Sequence, residues 1–89
     1  MVSVLTEKLV LTFDSVNYAM QAEKAFKEDE VEFKTIPTPR EISSSCGLSI
    51  MTSLDNTEYA SKKKKDGLNI NQLWKHTKSK TGKSAELIE

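Results

Sequence analysis

Cys46 is the one thiol of the sequence, and the residues around it could make it a nucleophile. A thiol is mostly protonated near neutral pH, so a reactive cysteine needs positive charge or hydrogen-bond donors to hold its thiolate. Arg40 offers a fixed charge, Pro39 restricts the chain, and Gly47 allows a backbone φ that is closed to other residues. The candidate donors are three consecutive serines, Ser43, Ser44 and Ser45. This composition favours a loop that can hold an anion.

The same cysteine also fits a structural role, because cysteine is among the residue types most often buried and here directly precedes a predicted strand. From these residues alone, a reactive thiol and a packed thiol both stay open. One cysteine excludes an internal disulfide, and Cys46 with His76 cannot supply the three or four ligands of a zinc site. No metal and no cofactor are therefore expected.

Six elements that would position this loop can be predicted from hydrophobic periodicity and from cap residues. Their order, βαββαβ, predicts an α+β domain with a ferredoxin-like sandwich, in which two helices cover one face of a four-stranded antiparallel sheet. The elements are a strand at 9–13, a helix from Asp14 or Ser15 to Glu28, strands at 31–36 and 48–52, a helix from a capping box at 55–58 to Gly67, and a strand at 68–74.

Finer predictions concern the helix faces and ends. The first helix should bury one side, and its acidic end at 28–30 has no glycine to stop it and should fray. Gly67 should end the second helix in a left-handed conformation. The predicted buried side of the first helix consists of Val16, Ala19, Met20, Ala22 and Phe26.

The connection at 38–47 is longer than a hairpin needs, which is typical of a functional loop. It carries the run IPTPREISSSCGLSI, and the preceding strand and helix read LVLTFDSVNYAMQAEKAFKE. These segments resemble the small bacterial family described as selenium/sulfur carrier-like proteins. The resemblance covers residues 8–74 and departs from the family in lacking a glycine between the first helix and the second strand.

The resemblance implies that Cys46 is the carrier cysteine and that Pro39, Arg40, Ser44, Ser45 and Gly47 are its loop partners. The chain would then be a carrier rather than an enzyme, holding a persulfide or selenosulfide. Its partners would be a donor, such as a cysteine desulfurase or a selenium-delivery protein, and an acceptor protein. This role requires a thiol that water and a partner's sulfur can reach. The alternative is a non-catalytic module that binds an anion or a protein and in which Cys46 only packs.

The net charge of zero divides unevenly along the chain. Residues 1–61 hold 5 basic and 10 acidic residues, whereas residues 62–89 hold 8 lysines and 3 acidic residues. We expect one domain at 1–75 and a flexible lysine-rich tail at 76–89, with His76 exposed. The strands lack the paired aromatic residues of RNA-binding sheets, so nucleic acid is not an expected partner.

The sequence also bears on location and assembly. It has no membrane-length apolar run and no signal-peptide pattern, which predicts a cytoplasmic protein without a membrane partner. A homo-oligomer would be compatible with the exposed sheet edges.

Overall fold

The structure is a computed structural model that describes residues 6–42 and 46–89. It contains a five-stranded sheet of order β2-β3-β1-β4-β5, in which every neighbouring pair is antiparallel. The elements are β1 (Thr6–Thr12), α1 (Val16–Glu28), β2 (Lys34–Pro37), β3 (Leu48–Ser53), a 3₁₀ turn (Leu54–Asn56), α2 (Thr57–Lys65), β4 (Gln72–Ser79) and β5 (Gly82–Leu87).

The predicted α+β class, with two helices and an antiparallel sheet, is confirmed. The four-stranded ferredoxin-like sandwich is not, because a fifth strand follows β4. Among the described residues, no helix is long and apolar enough to cross a membrane.

Residues 76–89, predicted to be a flexible tail, instead form the second half of β4 and all of β5. The two strands pair from Trp74 opposite Leu87 to Ser79 opposite Gly82. β5 buries almost no side chain, so it carries no apolar periodicity that would reveal a strand. β5 is held to β4 by backbone hydrogen bonds, and these leave no pattern in the sequence.

One face of the sheet packs against both helices. Leu9, Leu11, Ile50 and Leu73 come from the strands and meet small and aromatic residues of the helices. Phe26 of α1 makes edge-to-face contacts with Phe33 and Tyr59, at ring-centroid distances of 5.7 and 5.2 Å. The helical members of this core are Ala19, Ala22, Phe26 and Ala60.

The predicted buried side of α1 is only partly correct. Ala19, Ala22 and Phe26 are buried as expected, but Val16 and Met20 are exposed. The buried stripe of this helix is therefore narrower than its apolar residues suggest, because Val16 lies in the first turn and Met20 lies on the flank.

The end of α1 is held more firmly than predicted. The Tyr59 hydroxyl donates a hydrogen bond to the Asp29 carboxylate, and the Lys63 Nζ lies 3.0 Å from the same carboxylate. The hydrogen bond from Tyr59, followed by that from Lys63, holds the pKa of Asp29 below its ordinary value. Glu30 then adopts a φ of 57°, the left-handed conformation that a glycine usually provides after a helix.

The start of α2 also differs from the prediction. Ser53 caps the 3₁₀ turn by accepting a hydrogen bond from the Asp55 N–H, and Asn56, which precedes α2, makes no side-chain cap. The predicted capping box is therefore wrong, since the chain first completes a 3₁₀ turn. At the other end, Gly67 has a φ of 108°, which confirms the predicted left-handed conformation after α2.

Candidate functional site

The loop between β2 and β3 (residues 38–47) is hereafter the Cys46 loop, and its described residues, 38–42 and 46–47, lie against the sheet face that points away from the helices. Ser43, Ser44 and Ser45 fall outside the described residues. The β1–β3 register pairs Val10 with Met51 and Thr12 with Ser49, so these four side chains lie on the face opposite Leu9 and Leu11.

The centre of that second face is covered, although neither of the two described helices packs on it. Val10, Thr12 and Ser49 are fully buried there, and Ile42 from the Cys46 loop is only 4% exposed. The indole nitrogen of Trp74, on the same face, is buried and has no hydrogen-bond partner among the described residues. The Cys46 loop thus forms a third layer, which explains why it is longer than a hairpin turn.

Thr38 holds the two ends of this loop together. Its backbone N–H donates to the Gly47 carbonyl at 2.9 Å, and its hydroxyl donates to the Cys46 carbonyl at 2.9 Å. The Thr38 and Ser49 hydroxyl oxygens lie 2.7 Å apart. Because the Thr38 proton goes to the carbonyl, Ser49 donates to Thr38. This network fixes the backbone of Cys46 at the entrance to β3.

Cys46 itself is buried, with 5% of its surface exposed. The expectation that its thiol is open to water and to a partner's sulfur is wrong for this conformation. The physical reason is the packing of the Cys46 loop on the sheet, which the length of the loop did not reveal. Cys46 does not belong to the core between sheet and helices, so its burial comes from the layer on the other face.

Three further residues of the predicted site, Pro39, Arg40 and Gly47, lie within the described part of the chain. Pro39 and the exposed Arg40 line a surface pocket that does not include Cys46. Gly47 is exposed, does not have a positive φ, and has room for a Cβ. Gly47 therefore does not use the φ range that only a glycine allows.

A contact that no sequence pattern predicts joins the Cys46 loop to β4. The Glu41 carboxylate lies 3.0 Å from His76 Nε2, and the His76 side chain is only 13% exposed. His76 was predicted to be an exposed tail residue, and that prediction is wrong because β4 continues past it. The hydrogen bond from His76 is the main reason why the pKa of Glu41 lies below its ordinary value. No spacing in the sequence links residues 35 positions apart, so only the strand assignment could have found this pair.

The pocket beside this contact, hereafter the Arg40 pocket, has a volume of about 420 Å³. It lies between the Cys46 loop and the β4–β5 hairpin. Its charged and titratable residues are Arg40, Glu41, His76 and Lys83. A larger pocket of about 730 Å³ lies near the start of β2 and includes none of the predicted site residues. The described residues contain no group of three or more potential metal ligands from His, Cys, Asp and Glu.

The comparisons with known proteins agree with the resemblance drawn from the loop sequence. The model of the family described as "Putative Se/S carrier protein-like" matches residues 8–75, and the chain belongs to this family. The match includes Cys46 and both helices but ends within β4, so His76 and β5 lie beyond it. No curated protein and no solved structure matches the chain.

Proposed function

We propose that the chain is a carrier that holds a sulfur or selenium atom on Cys46 and delivers it to an acceptor protein. The observation that supports this proposal most strongly is the family match across residues 8–75, which contains the whole Cys46 loop. Cys46 is also the one residue of the chain whose side chain can form a persulfide or a selenosulfide.

The transfer consists of two exchanges at sulfur. The Cys46 thiolate attacks the outer sulfur of a donor persulfide, forming Cys46–S–SH while the donor leaves as a thiolate. An acceptor thiolate then attacks the same outer sulfur, and Cys46 leaves as a thiolate. Neither step needs an external oxidant, because the sulfane sulfur moves at constant oxidation state. With no second cysteine in the chain, the loaded atom leaves only to another molecule.

Loading requires access that the present conformation does not give. A sulfur in a side chain that is 5% exposed cannot meet a partner's persulfide directly, so a donor must shift the Cys46 loop as it docks. The same burial would protect a loaded persulfide from the small thiols of the solution. A carrier benefits from both properties, since it should release its cargo only to a docked acceptor.

The test is to incubate the protein with a cysteine desulfurase and free cysteine and to measure the intact mass. A carrier gains about 32 Da, the mass of one sulfur atom, and loses the gain on reduction of the persulfide. The matched control is Cys46→Ser, which should gain nothing. Absence of the adduct on the wild-type chain, with the desulfurase shown to be active on another thiol, would remove the carrier proposal.

The burial of Cys46 favours a second candidate, a non-catalytic module that binds an anion or a protein while Cys46 packs. The two candidates differ in the response to Cys46→Ala. In a binding module the substitution lowers stability and leaves partner binding intact, whereas in a carrier it abolishes the loaded species.

A further inference from the structure

Positive charge accumulates on the sheet face that carries the Cys46 loop. The registers place Lys8 directly opposite His76 and Lys78 directly opposite Lys83, and all four side chains lie on this face. Arg40 adds a guanidinium from the loop to the same region, since it lines one pocket with His76 and Lys83. Glu41 is the one carboxylate among the residues that line this pocket.

The charges of the Arg40 pocket are not balanced within the described part of the chain. Two lysine ion pairs among the described residues, Lys63–Asp29 and Lys75–Glu7, lie outside the pocket, and inside it Glu41 contacts His76. Arg40 and Lys83 form no ion pair with a described carboxylate. Lys83 does act on Glu41 at longer range, since its charge contributes to the lowered pKa of that carboxyl.

The pairing of Lys78 with Lys83 points independently to an anion. Like charges directly opposite each other on neighbouring strands destabilise an antiparallel pair. An anion in the Arg40 pocket would offset this repulsion at Lys83, which lines the pocket with Arg40 and His76. Glu41 provides part of that neutralisation by entering the pocket from the Cys46 loop.

We propose that the Arg40 pocket binds an oxyanion through Arg40, His76 and Lys83, and that the Glu41 carboxylate occupies it as an internal competitor. The oxyanion is either a free phosphate-like ion or a carboxylate on the surface of a protein partner. A second oxyanion would contact the guanidinium and the ammonium through charge-assisted hydrogen bonds and would compete with Glu41 for His76. The proposal rests on the pocket alone and holds whether or not Cys46 carries a chalcogen.

The experiment measures binding of two probes, inorganic phosphate and a hexaglutamate peptide, by NMR titration of the full chain at constant ionic strength. Lys83→Gln should weaken binding by about fivefold, because one charge contact is lost. Glu41→Gln should strengthen binding by about the same factor, because the competing charge is removed while the amide keeps a hydrogen-bond acceptor for His76. Lys65→Gln, at the exposed end of α2, is the control and should change neither affinity.

The two variants should change the affinity in opposite directions, which distinguishes a specific anion site from general attraction to a basic surface. Equal weakening by Lys83→Gln and Lys65→Gln, or no strengthening by Glu41→Gln, would overturn the proposal, as would shifts that fail to saturate with both probes. Hexaglutamate binding at least about tenfold tighter than phosphate would assign the site to a protein partner's carboxylates. Phosphate binding of equal or greater strength would assign it to a free oxyanion.

Discussion

At the scale of single residues, the position of Cys46 is the result that most affects function. The residue types around it suggested an activated, accessible thiol, yet the side chain is buried and Arg40 lines a pocket that does not contain it. The chemistry of a thiol depends on its access as well as on its charge environment. Reaction at Cys46 should therefore depend on the contacts that hold its loop against the sheet.

Alkylation of Cys46 by iodoacetamide tests this dependence. The native chain should react at least about tenfold more slowly than the chain in denaturant, because reaction requires a local opening. Glu41→Gln should accelerate the native reaction by about two- to fivefold, since the amide replaces the charged contact between the loop and β4 with a weaker neutral hydrogen bond to His76. The rates are measured by mass spectrometry of quenched samples.

Asp29→Asn is the matched control for that measurement, because it removes a paired carboxylate on the helix side of the sheet. It should leave the alkylation rate of Cys46 unchanged. Equal acceleration by Asp29→Asn and Glu41→Gln would show that the reaction follows global unfolding instead of an opening of the Cys46 loop. Fast alkylation of the native wild-type chain would contradict the burial of the thiol.

The sequence identified candidate residues for the site, but it did not predict which residues contact them in space. A cysteine beside serines, an arginine and prolines is visible in the sequence, and the family match supports the importance of that segment. The partner of Glu41 was not visible, because His76 reaches it only after β4 extends through Lys75 and beyond. Such a contact depends on strand register, which local patterns do not encode.

At the scale of elements, the junction between α1 and β2 combines a local strain with a tertiary restraint. Glu30 has a φ of 57°, a conformation that a glycine usually provides when it follows a helix, and a side chain in this conformation costs about 1–2 kcal/mol. The helix still ends there, because Asp29 contacts Tyr59 and Lys63 of α2. The acidic residues at the end of α1 predict fraying when they are considered alone. The contacts that prevent it come from the Tyr59 hydroxyl and the Lys63 ammonium of α2, which the local sequence does not show.

Glu30→Gly should therefore stabilise the chain by about 0.5–1 kcal/mol, with the relief of left-handed strain partly offset by the greater entropy of the unfolded chain. Urea denaturation followed by circular dichroism measures the change. Glu28→Gly is the control within the same acidic segment: it lies in the last turn of α1 and should destabilise by a similar amount. A loss of stability with Glu30→Gly would contradict the left-handed assignment.

At the scale of the whole molecule, the sheet is covered on both faces by different means. The helices cover one face with a continuous apolar core, and the Cys46 loop covers the centre of the other. The core between sheet and helices was predictable, because Leu9 and Leu11 follow the two-residue period of a strand and Phe26 follows the period of an amphipathic helix. The layer formed by the Cys46 loop was not predictable, since a loop rich in serine and proline has no hydrophobic period that indicates burial.

The fifth strand was missed for a related reason. Most of the final residues are polar, and even Leu87 and Ile88 are exposed, so their composition predicts a tail. In the structure they close the edge of β4, and the Leu73 carbonyl accepts a hydrogen bond of 2.8 Å from the Ile88 N–H. The hairpin also brings Lys83 to the Arg40 pocket, so the edge strand contributes to the proposed anion site as well as to the sheet.

Deletion of residues 80–89 tests whether β5 is part of the folded unit. The strand pairs with β4 over six residue positions, and each net hydrogen bond contributes about 0.5–1.5 kcal/mol, so the deletion should lower the free energy of unfolding by at least about 2 kcal/mol. Urea denaturation measures the loss. Lys80→Ala in the exposed turn is the control and should stay within about 0.5 kcal/mol of the wild type. Unchanged stability after the deletion would mean that the segment behaves as the mobile tail its composition suggested.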